Sequence, residues 1–144
     1  MATNLLLLSV VALYSLRINC GGKEVIVSGE KFDFDTDSAG PSSFRQISPN
    51  WALSSTGYFI DDDSRDNFIQ FNKSILSMAN PELYMEARLS PISLTYYGLC
   101  LGYGNYTVKL HFAETEFTNG KTYKNLGRRI FDIYIQVMVN TLRS

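Results

Sequence analysis

Polar and apolar positions alternate over several short stretches of this chain. Between Tyr106 and Glu114, Tyr106, Val108, Leu110 and Phe112 fall on one side of an extended segment. Thr107, Lys109, His111 and Ala113 fall on the other. A period of two marks a strand with one face in a core. Leu16-Arg17-Ile18-Asn19 repeats the pattern. So does Leu83–Ser90, where Leu83, Met85, Ala87 and Leu89 alternate with Tyr84, Glu86, Arg88 and Ser90. In Arg129–Gln136, Phe131, Ile133 and Ile135 oppose Asp132, Tyr134 and Gln136. Glu24–Val27 and Tyr58–Ile60 read as two further short strands. Turn clusters separate these runs: Cys20-Gly21-Gly22, Ser28-Gly29, Asp61-Asp62-Asp63-Ser64, Gly102-Tyr103-Gly104-Asn105 and Asn119-Gly120. Helical spacing extends to one turn at most, over residues 74–79. Short strands between turn clusters predict an all-β domain, an antiparallel β-sandwich.

Composition fits that picture. The 144 residues suffice for one domain, and 45% hydrophobic with 19% charged residues describes a globular chain. Nine Tyr and nine Phe favour strands; most of the rings belong in a core, and surplus Tyr suits a binding surface. The net charge of −1 speaks against nucleic acid as a partner, and the basic run Lys121, Lys124, Arg128 and Arg129 reads as a solvated rim.

The apolar run Leu5–Leu16, broken only by Ser9 and Ser15, is too short to span a bilayer. Residues 1–16 read either as the apolar part of a secretory signal, which would place the protein on the extracellular side, or as a misassigned start fused to the domain's first strand, the signal being the favoured reading. Asn72-Lys73-Ser74 and Asn105-Tyr106-Thr107 are sequons, so Asn72 and Asn105 are expected to carry glycans. In an oxidising compartment Cys20 and Cys100 would form one disulfide; in a reducing one they would remain free thiols.

Candidate chemistry is sparse. Asp33, Asp35 and Asp37 alternate, but the sixth and twelfth positions of a helical calcium loop starting at Asp33 hold Ser38 and Phe44, not Gly and Glu. That loop is excluded. A turn in which aspartates bond backbone amides remains open, as does a non-helical calcium site. Three adjacent aspartates at Asp61–Asp63 do not supply the separated carboxylates of glycoside hydrolysis. The sequence shows no nucleophile elbow, phosphate-binding loop, zinc motif or kinase catalytic loop. His111, the single histidine, reads as a strand-surface residue. A non-enzymatic chain without cofactor or metal is expected.

An ordered set of motifs carries a resemblance. It comprises Ile18-Asn19-Cys20-Gly21-Gly22, Gly40-Pro41-Ser42, Asn50-Trp51-Ala52, Ser54-Ser55-Thr56-Gly57, Ala87-Arg88-Leu89-Ser90-Pro91, Leu94–Leu101, Gly104–Val108, His111-Phe112-Ala113-Glu114 and Gly127–Gln136. The set resembles the malectin domain of plant leucine-rich-repeat receptor-like kinases over roughly residues 16–136. The resemblance implies a galactose-binding-like jelly roll that recognises carbohydrate through loop aromatics and an aspartate. By position, Phe117 matches the second ring of the family's Tyr-Phe pair, whereas Glu116 and Leu89 depart from its tyrosines, and the pocket aspartate has no counterpart.

The expected organisation is therefore a partial malectin domain over 17–136, lacking its C-terminal strands, with 137–144 a tail outside the family pattern. Its expected role is that of an extracellular, non-catalytic recognition module from a receptor-like kinase; the alternative is a stand-alone secreted lectin. Expected partners are a glycan or cell-wall carbohydrate, or a co-receptor ectodomain. Expected contact residues are Tyr96, Tyr97, Phe117 and Asp33, Asp35 and Asp37. Without later strands, the apolar rows of Tyr106–Glu114 and Ile130–Gln136 are expected to lie open to solvent.

Overall fold

Trp51, Ala52 and Leu53 are consecutive and all buried, so the strand they open is covered on both faces. The fold is built outward from it. The computed structural model describes residues 13–38, 40, 42–59, 68–72, 80–112, 130–136 and 138–143. Its strands are β1 (Ile18–Asn19), β2 (Val25–Val27), β3 (Glu30–Phe34), β4 (Ser43–Ser48), β5 (Trp51–Thr56), β6 (Ile69–Phe71), β7 (Glu86–Arg88), β8 (Ser93–Gly98), β9 (Ile130–Ile135) and β10 (Met138–Arg143). One turn of 3-10 helix, Pro81–Tyr84, precedes β7. Apart from that turn, the described residues are all-β, as the alternation predicts.

The central strand β5 lies antiparallel between β4 and β8. Register puts Trp51, Leu53, Ser55, Leu94 and Tyr96 on the inner face. Phe44, Gln46, Ala52, Ser54, Thr56, Ser93, Thr95 and Tyr97 share the outer one. A second sheet runs β1-β3-β2, with β1 parallel to β3. The β2–β3 hairpin closes on Ser28 (φ 52°) and Gly29 (φ 80°), and two left-handed residues match the twist of a tight hairpin. Pairs β6–β7 and β9–β10 complete the sheets. Beside Trp51, Ala52 and Leu53, the buried apolar residues described are Val27 and Phe68.

Several expectations change. Residues 105–112 form no strand, although Tyr106, Val108, Leu110 and Phe112 are all exposed, as expected of this apolar row. The alternation is present, but no described sheet packs on the apolar row; only Phe112 meets a ring, Phe131 of β9, at 5.3 Å. In Leu83–Ser90 the strand shrinks to β7 and its facing inverts. Pro81 sits in the 3-10 turn, Met85 is exposed and Arg88 is buried. Residues 57–59 are not a strand, whereas Phe32–Phe34, read as part of a turn, end β3. At the front, Leu13, taken as part of the secretory run, bridges Leu101 in parallel, while residues 1–12 lie outside the described part. At the back, the residues expected as a tail supply β10.

Candidate functional site

The sequence Asn19-Cys20-Gly21-Gly22 folds into a turn closed by the Gly22 N–H on the Asn19 carbonyl at 2.9 Å. Gly21 has φ 84° at its third position, the conformation a type II turn demands of glycine. The turn is clamped from two sides. Asp35 N–H donates to the Gly22 carbonyl at 2.8 Å, and Arg88 N–H to the Cys20 carbonyl at 3.2 Å.

Between these backbones lies a sealed ion pair. The side chains of Asp35 and Arg88 have no exposed surface. Asp35 Oδ1 accepts from Arg88 Nη2 at 2.6 Å. Its Oδ2 accepts from Arg88 Nε at 3.0 Å, from Gly21 N–H at 2.9 Å and from the Tyr96 hydroxyl at 2.7 Å. Arg88 also donates to the carbonyls of Asp35 and Asp37. Such complete pairing is what a buried charge requires. Sequence reading put Asp35 in a ligand loop and Arg88 on a solvent face. Both are corrected here, because each supplies the charge that makes burial of the other tolerable.

Tyr96 follows the same logic. Its ring lies 5.9 Å from Trp51 and its hydroxyl is spent on Asp35, so it is a strut of the interior and not an open sugar contact. Burial first, then the nearby Cys20 and Asp35, push the Tyr96 hydroxyl far above the usual tyrosine value of 10.0. Desolvation likewise raises the Cys20 thiol, although Cys20 keeps an edge to solvent. For groups held protonated in the fold, stability is full below the unfolded values of 9.0 and 10.0 and falls as pH rises past them, because only the unfolded chain then releases its protons. Denaturant titrations from pH 8 to 11 are expected to show Tyr96's share of this loss at roughly 1.4 kcal/mol per pH unit. Tyr96→Phe is expected to flatten that slope while costing about 1.5–3 kcal/mol at neutral pH through the lost bond to a carboxylate. A slope unchanged in the variant would show that Tyr96 is not the group responsible.

The other expected contacts do not converge on one place. Asp33 lies 3.8 Å from Lys31, and Asp37 lies 3.8 Å from Arg45 at the surface. Phe117 is outside the described residues. Among the described residues no group of three or more His, Cys, Asp or Glu is placed to hold a metal ion. Tyr97 points opposite to Tyr96. On the outer face its ring meets Phe44 edge-on at 5.8 Å and 63°, and its hydroxyl lies 3.2 Å from Ser54 Oγ. The two rings reach from β4 and β8 across the small residues Ala52 and Ser54 of β5. Phe44 was not singled out from sequence; its place opposite Ser54 comes from strand pairing alone.

Both cysteines are free, which corrects the expected disulfide. The Cys100 carbonyl accepts from Leu13 N–H, and the Cys20 carbonyl from Arg88 N–H. Asn72 is corrected as a glycan site. It is only 5% exposed, and its Nδ2, the atom a glycan would occupy, donates to the Tyr84 carbonyl at 3.2 Å. Asn105 is exposed. Secreted from plant cells, the chain is expected to lose one glycan's mass on endoglycosidase treatment, and Asn105→Gln to abolish that shift. A second glycan, at Asn72, would contradict the buried position of that side chain.

The described residues form an all-β domain in which Asp35, Arg88 and Tyr96 are spent on holding strands and turn together. The chain belongs to the malectin domain family, whose model matches residues 14–141. It is 52% identical over 131 residues to a probable LRR receptor-like serine/threonine-protein kinase of Arabidopsis thaliana, an alignment covering 86% of this chain and 13% of the relative. A probable leucine-rich repeat receptor-like serine/threonine-protein kinase of the same plant is 49% identical over 130 residues, covering 85% of this chain and 12% of that relative. The chain thus spans about one-eighth of the length of these curated relatives. The matched residues are a malectin domain and contain no catalytic domain. No solved structure matches the chain. Among the described residues no helix is long and apolar enough to cross a membrane.

Proposed function

We propose that this chain is a partial malectin domain from a receptor-like kinase, acting outside the cell as a non-catalytic recognition module for carbohydrate. The observation that carries the reading is the malectin match over nearly the whole chain, shared with relatives whose names make them receptor-like kinases. An exposed sequon at Asn105 supports an extracellular setting. Recognition in such a module rests on rings and hydroxyls rather than on a reactive group. Signalling would be left to a kinase beyond these residues.

The test is a glycan array probed with the purified, secreted chain. Saturable binding to a defined set of plant glycans is the expected result. A blank array, together with saturable capture on an array of receptor ectodomains, would replace carbohydrate by a co-receptor as the ligand.

A further inference from the structure

The outer face of the β4–β5–β8 sheet is built from small, polar and aromatic residues. Its eight positions are Phe44, Gln46, Ala52, Ser54, Thr56, Ser93, Thr95 and Tyr97, and none is Asp, Glu, Lys, Arg or His. Arg45, which lies between two of them in sequence, points to the opposite face, near Asp37. We infer that this face is a docking strip for a single neutral oligosaccharide chain, held across β5 by Phe44 and Tyr97. The inference rests on the recognition reading above and gives it a location.

Three observations carry it. First, two large rings stand in water where a strand's outward positions are ordinarily polar: Phe44 is 67% exposed and Tyr97 41%. Rings of this kind offer an apolar surface to the C–H face of a sugar. Second, the rings are bordered by groups that both donate and accept, as sugar hydroxyls also do. These are Gln46, Ser54, Thr56, Ser93, Thr95 and the Tyr97 hydroxyl. Part of this border is already ordered, through Ser54 with Tyr97 at 3.2 Å and Thr56 with Ser93 at 2.5 Å. A ligand therefore meets oriented groups and orders fewer side chains on binding.

Third, charge selects the ligand class. A face whose eight positions hold no Asp, Glu, Lys, Arg or His gives no counter-charge to an acidic polysaccharide and no complement to the charged rim of an ordinary protein interface. It loses little solvation against a neutral polyhydroxylated chain. The shape narrows the class further. Rings inclined at 63° make a bent apolar surface, which cannot lie flush on the planar face of a crystalline polymer but can receive one flexible chain.

The test uses the secreted chain, titrated calorimetrically with neutral β-1,4-linked hexamers of glucose, xylose and mannose, and with hexagalacturonate as the acidic counterpart. At least one neutral hexamer is expected to bind. Phe44→Ala and Tyr97→Ala are each expected to weaken it about tenfold. Because losing a ring can loosen the sheet, Thr95→Lys serves as a second kind of variant. It keeps both rings, adds bulk and charge to the strip, and is expected to weaken binding by a similar factor with an unchanged melting temperature. Ile26→Ala, at an exposed position of β2, is expected to stay within about twofold of the parent. Neutral-hexamer binding that survives all three strip substitutions would place the site elsewhere; this inference would fall and the recognition reading would stand. Tighter binding of hexagalacturonate than of any neutral hexamer would overturn the charge argument. Failure of the unaltered chain to bind any glycan would remove both readings.

Discussion

Arg88→Ala is expected to cost about 3–5 kcal/mol, read from the midpoint of urea unfolding. A domain of this size has about 5–15 kcal/mol in total, so the variant should be largely unfolded or close to it. The cost arises because truncation leaves the Asp35 carboxylate sealed from water, with only Gly21 N–H and the Tyr96 hydroxyl as donors. Arg88→Lys is expected to fail almost as badly. A lysine cannot reproduce the guanidinium fork, which reaches both Asp35 oxygens and the Asp35 and Asp37 carbonyls at once. The double replacement Asp35→Leu/Arg88→Met removes both charges and is expected to be more stable than Arg88→Ala alone. A loss below about 1 kcal/mol for Arg88→Ala would mean that the pair is solvated, since that is the range of surface ion pairs.

Gly21→Ala is expected to be comparably damaging although it adds a single methyl. A Cβ at position 21 would lie 2.4 Å from Arg88 N and 2.5 Å from Ala87 C, both backbone atoms that cannot swing aside. Its φ of 84° is also a strained conformation for any residue with a side chain. Left-handed strain and forced overpacking together come to about 3 kcal/mol or more. Gly29→Ala is the control: its φ is 80°, but no atom lies within 4 Å of the added carbon. It should show the conformational part alone, about 1–2 kcal/mol. Equal losses in the two variants would show that close approach to β7 contributes nothing.

The sequence was informative where structure is local. Strand β2 with the Ser28-Gly29 turn after it, the turn at Cys20-Gly21-Gly22 and the strand of residues 130–135 follow from residue type and spacing. Alternation identified a row of apolar residues over 106–112, but a period of two shows which side chains share a face and not whether anything covers them. β5 escaped notice for the opposite reason. Trp51, Ala52 and Leu53 are covered on both sides, so no alternation survives to be read. Arg88 was misplaced because its facing depends on Asp35, which lies outside any local window. The outer strip was half legible: Tyr97 stood out as an aromatic, while Phe44 becomes its neighbour only through β4–β5–β8 register.

The separation of the ion-pair partners has a kinetic consequence. Asp35 and Arg88 are 53 residues apart, and Asp35 and Tyr96 are 61 apart, whereas Gly21 reaches Asp35 across 14. The entropy of loop closure rises with length, and contacts of long separation slow folding. The turn at Gly21 can therefore meet Asp35 while that carboxylate is still hydrated. The step that expels water waits for a segment delivered late from the ribosome. Until β7 and β8 form, the Asp35 carboxylate lacks its partners Arg88 and Tyr96.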